Sequence, residues 1–530
     1  MRGRTHQRDV GIWLDKEDEL LVSGADSHAE TTHHSGQQGS QRRAVLLPPR
    51  QSQEALVDIY LRRIHPTLPL IDEQEFQRQF KEGSASPYLV QAICLAASKD
   101  HEAEPFLRLA NSGKLALSEF SNLLYDELNQ ANSLKLERRR VTLIQILALL
   151  SLHVPGPRSF EDASLYLTQA IHHAHTMGLH LTSPGPVQDK KPAIALFWCL
   201  WALDRYNAAI QGRPLVIHDR DLGQQLADIL PLFEAPFRVL LSLASALADV
   251  FVVYRPALEG PIDSNKPEIP RFEDVVDKCE AWDVPLDTIL SLELVYHAIA
   301  LLASRPWVLK DQPKSDTLYL RQDLSVYRIV SLIQIHEVSQ LLPLPIIPYA
   351  ISLSFSVAYK QIQRCQLLST QDTAKHHVRA LYKSLEALSP TWWSAQVMTR
   401  LGRRVLHEIQ RTTDRTNDQI LPEQPRRRRP SDPTIAEYIS TPALSSDLTA
   451  SENVDSPLNG TGPRSQLPVD FADIGHDTFG YPSGNAAFDD IDDLLGNFLN
   501  INVPTCPTHP SFTDFDVAWD DQMSNYASFY

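Results

Sequence analysis

From residue 52 to about residue 420, apolar side chains recur every three or four positions, and prolines or glycines cut the pattern into helix-length pieces. A chain written this way buries its apolar stripes by packing helix on helix. Alternating runs bounded by hairpin turns are scarce, so the expected class is all-α. Val57, Tyr60, Leu61 and Ile64 share one helix face, and Pro66 ends that helix at or before His65. Residues 141–152, "VTLIQILALLSL", are apolar nearly all round and belong at the centre. In "SLYLTQAIHHAHTMGLHL", Tyr166, Ala170, Ala174 and Met177 recur at helical spacing, with Gly178 as the stop.

Three later stretches repeat the device. Phe197, Trp201 and Ala208 align, with Leu200 flanking, before Gly212-Arg213-Pro214. Leu292, Tyr296, Ile299 and Leu302 precede Arg305-Pro306. "LSPTWWSAQVMTRLGRRVLHEI" reads as a helix with Ser389 as N-cap, Pro390 at the first helical position, and a face of Trp393, Val397, Leu401, Val405 and Ile409. No repeat of fixed period emerges.

The flanks read differently. Residues 1–50 are rich in His, Gln, Arg and Ser without periodicity, and are expected to be disordered. Residues 421–530 form a second expected disordered segment, with its few large apolar residues gathered at 488–501 and near Trp519. Charge separates along the same boundary. The formal net charge is −16, and residues 431–530 hold 16 acidic side chains against the single Arg464, so the body is near neutral.

Five scattered cysteines (94, 199, 279, 365 and 506) fit a reducing compartment better than a disulfide framework. The polar, charged start carries no secretory signal. Residues 341–359 are an uncharged stretch of membrane-spanning length, but Pro343, Pro345 and Pro348 fill its first half. A buried core helix entered through a stiff loop is the better account, and no membrane partner is expected.

"FDDIDDLLGNFL", 488–499, admits two chemistries. Asp489, Asp490 and Asp493 spell the D-D-x-x-D pattern with which isoprenoid synthases hold magnesium and a diphosphate. That chemistry needs a water-poor cavity and a second metal motif, and neither accompanies it here. In the other reading Phe488, Ile491, Leu495, Phe498 and Leu499 form one side of a short helix, with Leu494 beside them and Asp489, Asp490, Asp492 and Asp493 around the rest. Such a segment folds on contact with a partner and suits a groove with a basic rim, which is the physics of an acidic activation segment; the plainer alternative is a helix that folds back on its own body.

Arg426, Arg427, Arg428 and Arg429 form a basic run at the start of the acidic region, suited to an import receptor. His172, His173, His175 and His180 lack a carboxylate or cysteine at ligand spacing and read as surface or packing residues. Asp204 and Arg205 read as a structural pair beside Trp201.

These phrases together resemble the fungal-specific transcription factor domain, the middle homology region of fungal zinc-cluster regulators. "ALVDIYLRRIHPTLPLIDEQEF" (55–76) resembles its opening, with His65-Pro66 between two helices. "AIHHAHTMGLH" and "FWCLWALDRYNAAIQGRPLVIHDRDL" are similar to its most characteristic helices, and "LVYHAIALLASRP" to a later one. "PYAISLSFSVAYK" and "WWSAQVMTRLGRRVL" resemble the branch of cutinase transcription factors and acetamidase regulators, whose members often end in a "DDLLGNFL"-like tail. The likeness covers about 50–415 plus that tail.

The resemblance implies a large helical regulatory domain over 51–420, in which His65, Pro66, Asp204, Arg205, Gly212, Arg213 and Pro214 are motif residues of structural role. It implies a nuclear regulator of genes for carbon- or nitrogen-source use or for a secondary-metabolite cluster. Expected partners are the transcription machinery or a coactivator through the tail, and DNA directly or through a DNA-binding homologue. The family reads DNA through a six-cysteine zinc cluster, and no cysteine precedes Cys94 here. Zinc is therefore expected only from a cysteine cluster upstream of Met1, and no cofactor is assigned to these residues. The alternatives are a modulator that sequesters a DNA-binding relative and, from a different class, the magnesium-dependent diphosphate enzyme.

Overall fold

The computed structural model describes residues 45–109, 113–156, 159–182, 190–254, 269–304 and 316–420. Among these residues every regular element is helical, and the one β-bridge, Arg108 with Lys114, stands alone. The residues up to 410 belong to one compact unit and 411–420 to another.

Within the first unit, residues 45–49 precede the first helix and are tied down at Leu46, whose N–H donates to Glu127 (2.9 Å) and whose carbonyl accepts from Gln91 (2.9 Å). Helix α1 (Arg50–Ile59) runs on through a π-turn, Tyr60–Ile64, closed by the His65 N–H donating to the Tyr60 carbonyl five residues back. It stops before Pro66, whose ring cannot continue it. Helix α2 (Glu73–Glu82) starts at Asp72, whose carboxylate accepts from the Glu75 N–H, and ends at Gly83 in the left-handed conformation.

Helix α3 (Pro87–Ala97) lies between α1, α4 (Leu117–Ser133) and α5 (Arg140–Leu150). The all-round apolar text of α5 has its expected consequence: Ile144 through Leu150 are buried without a break. From there the helices pack in sequence. Helix α5 meets α6 (Ser159–Thr176), α6 meets α7 (Lys191–Gln211), and α7 meets α8 (Ala235–Tyr254). Past α9 (Phe272–Lys278), α8 packs on α10 (Leu286–Ala303) and α10 on α12 (Ile346–Arg364). Helix α11 (Asp316–Ile335) fills the corner between α10, α12 and α13 (Leu368–Leu388), and α14 (Trp393–Ile420) ends the described chain.

The uncharged stretch at 341–359 is interior. Ile346 through Tyr359 are all buried, and the hydroxyls of Ser352, Ser354 and Ser356 donate to carbonyls four residues back, so none of the three is left bare. Residues 235–252 and 286–303 are also long and apolar enough to cross a bilayer, yet most of each is buried within the helical body.

Two local expectations need correction. Met177 is exposed, because α6 has already ended when the chain reaches it. Ser389 caps the end of α13 rather than opening α14, its hydroxyl donating to Leu385 and meeting Thr399. Helix α14 therefore begins at Trp393, and it is Trp392 in the preceding turn that is buried, receiving the Lys99 ammonium 4.2 Å above its ring. The inner face of α14 is then Ala395, Met398, Leu401, Val405 and Ile409.

Candidate functional site: a buried arginine at the end of α7

Helix α7 stops where Gly212 adopts φ +62°, a conformation without penalty only for glycine, and the Arg213 N–H reaches back to the Ala208 carbonyl. Pro214 follows and prevents resumption of the helix. The chain then doubles back along α7, and Asp204 holds the return. Its carboxylate accepts from the Val216 N–H with both oxygens (3.1 Å each) and from the Ile217 N–H with Oδ2 (3.0 Å). The Gly212-Arg213-Pro214 turn and Asp204 are thus two halves of one device.

Arg205 is fully buried. Its guanidinium lies 3.7 Å over the Trp201 ring, Nη1 donates to the Trp201 carbonyl (3.2 Å), and Nη2 donates to Oδ1 of Asp219. That same oxygen accepts from the Trp201 indole N–H (2.7 Å). Asp204 stands 3.7 Å from Nη1, near enough for ion attraction but beyond hydrogen-bond reach. The expected pairing of Asp204 with Arg205 is therefore indirect: one grips the returning backbone, the other the Asp219 that this backbone delivers. Burial pulls the Arg205 pKa down to about 10, against the opposing pull of Asp219 and Asp204, so the group keeps its charge at neutral pH.

Two phrases far apart in sequence meet here. The Gly223 N–H donates to the His180 carbonyl (2.9 Å), and the Thr182 hydroxyl donates to the Gly223 carbonyl. A Cβ on Gly223 would stand 2.6 Å from the Thr182 nitrogen, so the contact is backbone on backbone. The rings of His175 and His180 lie 4.8 Å apart against Phe197, whereas His172 and His173 pair with each other on a different surface. The four histidines do not converge.

His65 and Pro66 follow the π-turn that ends α1. The His65 ring sits 6.2 Å from that of Tyr60, and burial lowers its pKa to about 4. Glu73 stands 3.9 Å from Nε2 and is half-exposed, too distant to reverse that effect. Beside it, sequence reasoning missed Arg63, which donates to Asp100 (3.0 Å), to Asp287 at the start of α10 (3.2 Å) and to the Gln340 carbonyl. Nothing local in "YLRRIHP" separates Arg63 from the exposed Arg62; only the fold brings its distant partners together. Also missed was a buried polar ladder between α6 and α7, in which Ser164 donates to Gln211 (2.7 Å) and Gln211 to Asn207 (2.8 Å).

The chemistry available to these groups is that of a lock rather than a reaction centre. The ladder borders a cavity of about 60 Å³ among Leu152, Phe160, Leu203, Tyr206 and Leu240, far below the roughly 300 Å³ of the smallest usual ligand pockets. Asp100, His101 and Glu102 come close enough to share a cation, but Arg63 and Arg62 already engage the two carboxylates. Arg426–Arg429 and Phe488–Leu499 lie outside the described residues.

Residues 57–238, from α1 into α8, match the fungal specific transcription factor domain. Over 195 residues, 35% of the chain, the sequence is 30% identical to cutinase transcription factor 1 alpha of Fusarium vanettenii, of which 21% is covered. Cutinase transcription factor 1 beta of the same organism is 30% identical over 210 residues, covering 37% of this chain and 22% of the relative. The acetamidase regulatory protein of Aspergillus fumigatus is 26% identical over 203 residues, 37% of this chain and 24% of the relative. The matches thus span about a fifth to a quarter of these relatives' lengths. The names are those of transcription regulators.

Proposed function

We propose that this chain, whose residues 57–238 match the fungal specific transcription factor domain, is a nuclear regulator of transcription whose helical body controls an acidic activation segment at 488–499. What carries the reading is where the match falls: it runs through the helices that build the Asp204 and Arg205 junction, so the shared text is the text of the lock. A rigid body of this kind serves as a platform, and the chemistry of activation resides in the acidic region. Arg426–Arg429 supply the import signal. The targets are genes of a secondary-metabolite cluster or of carbon- or nitrogen-source use, in keeping with relatives named for cutinase and acetamidase.

One observation favours a second reading. These 530 residues hold five cysteines, none in a C-x-x-C pair, and a binuclear zinc cluster takes six. For these 530 residues, DNA contact through a partner is the economical arrangement, and the chain then modulates a DNA-binding relative. The activation claim is tested by joining residues 431–530 to an unrelated DNA-binding domain with a reporter. Phe488→Ala with Phe498→Ala is expected to abolish output, and undiminished output would sink the reading.

A further inference from the structure

An open groove of about 760 Å³ lies between the end of α4, the start of α5 and the last turns of α6. Its floor is apolar, formed by Leu128, Ala131, Leu143 and Ile146. Its rim is cationic: Lys135, Arg138 and Arg140, with His172 and His173 opposite. Leu136 and Val141, next in sequence to the rim residues Lys135 and Arg140, are exposed apolar side chains that extend the apolar character beyond the lip. Glu137, the one acid on the rim, is already engaged by Ser86 and the Arg139 N–H.

Three features set this surface apart. Among the described residues Lys135, Arg138 and Arg140 make no ion pair, whereas Arg139 between them lies 3.8 Å from Glu137. The arginine run lies at the N-terminus of α5, whose first turn holds no acid. Cations are unfavourable there, because the helix dipole already places positive charge at that end. Lys135 itself has φ +52°, a conformation in which a lysine is strained and a glycine would not be. The positive φ of Lys135 and the arginines set against the helix dipole cost the free body something, and the three cations make the groove electropositive. In agreement, burial first and then His172 and Arg140 depress the pKa of His173.

We propose that this groove is the docking site of the chain's own segment 488–499, held as an amphipathic helix with its apolar side on the floor and its aspartates on the rim. The proposal rests on reading that segment as the activation segment. Complementarity is direct: the segment carries four aspartates and no base, while the rim carries three unpaired cations. Phe488, Ile491, Leu495, Phe498 and Leu499 supply an apolar face to match the floor of Leu128, Ala131, Leu143 and Ile146. Twelve helical residues are about 18 Å long, and the 67 residues of 421–487 extend to on the order of 200 Å, so tether length forbids no face of the body. A DNA phosphate backbone would satisfy the rim but leave the apolar floor and lip unmatched, so the acidic helix is the better fit.

The test uses the full chain with the photocrosslinking residue p-benzoylphenylalanine in place of Phe488. Irradiation is expected to join position 488 to residues within 128–146 or 169–176 of the same molecule, read by peptide mapping. Arg138→Glu with Arg140→Glu should cut that yield about tenfold, and adding Asp489→Lys with Asp493→Lys should restore most of it. Because the arginines are on the rim, far-UV circular dichroism should be unchanged in every variant. Crosslinks to other surfaces, crosslinks only between copies, or a yield indifferent to charge reversal would each overturn the proposal. So would loss of duplex-DNA binding on reversal with the crosslink intact. Failure of the crosslink with an active 431–530 fusion would reject docking alone; an inactive fusion with the crosslink present would reject activation alone.

Discussion

At the scale of the residue, burial decides which of the shared charges matter. Asp204 and Asp219 both serve the α7 junction, but Asp204 is 2% exposed and the Asp219 side chain 58%. Asp204→Asn replaces an acceptor of two backbone N–H groups by a side chain that is half donor, and should cost about 2–3 kcal/mol. Asp219→Asn keeps an acceptor for Trp201 and Arg205 at a wet edge but removes the hydrogen-bonded anion of a buried guanidinium, and should cost about 1–2 kcal/mol, less than Asp204→Asn. Arg205→Lys loses both the stack on Trp201 and the planar fork, and should cost about 2–3 kcal/mol despite preserving charge. Urea unfolding of the three variants checks the order; equal losses at Asp204 and Asp219 would show that the buried amides are not the important partners. The sequence made Asp204 and Arg205 visible as a pair because they interrupt an aromatic helix. It concealed their true partners, Val216, Ile217 and Asp219, which depend on how sharply the chain turns after Gly212.

At the scale of the element, periodicity located helices well and their ends less well. The interior of α5, the stop of α7 at Gly212 and the burial of α12 follow from local text, because an all-apolar run and a glycine-proline break each permit few conformations. The start of α14 did not follow. Ser389-Pro390 has the spelling of a helix start, but tertiary packing placed Trp392 inside, and Ser389 ended the helix before it. Gly402 shows the same override. In a helix interior glycine is less favourable than alanine by roughly 1 kcal/mol, so propensity alone expects Gly402→Ala to stabilise. A Cβ there would stand 2.9 Å from Cδ2 of Tyr382 and 3.3 Å from Cζ of the fully buried Phe355. We expect Gly402→Ala to destabilise by about 1–2 kcal/mol as α14 is pushed from α12 and α13. Thermal unfolding decides it: a raised melting temperature would mean that the rings move aside freely.

At the scale of the whole molecule, the near-neutral body and the acidic 431–530 region divide the physics between them, and the charge count alone made that division legible. Helix-period text established the fold class for the same reason: amphipathic helices without strands have only one another to pack against. What stayed hidden was long-range. Arg63 joins residues more than 200 positions apart, and buried histidines sit in surroundings that no local window reveals. Those histidines set the response of the body to acid. Burial lowers the pKa of His65 to about 4 and holds those of His153 and His377 below the ordinary value. In the unfolded chain they take up protons near pH 6.5, and in the folded body they resist doing so. Between pH 6.5 and about 4 the unfolded state therefore binds more protons, and stability falls as pH falls. His65 alone accounts for up to about 3 kcal/mol across that window, at roughly 1.4 kcal/mol for each pH unit. Urea titrations at intervals from pH 7 to pH 4.5 should show this decline, and His65→Leu should make it shallower by close to one proton. A flat profile, or a His65→Leu profile parallel to that of the parent, would show that His65 accepts its proton without opening the turn between α1 and α2, and that acid sensitivity originates elsewhere in the body.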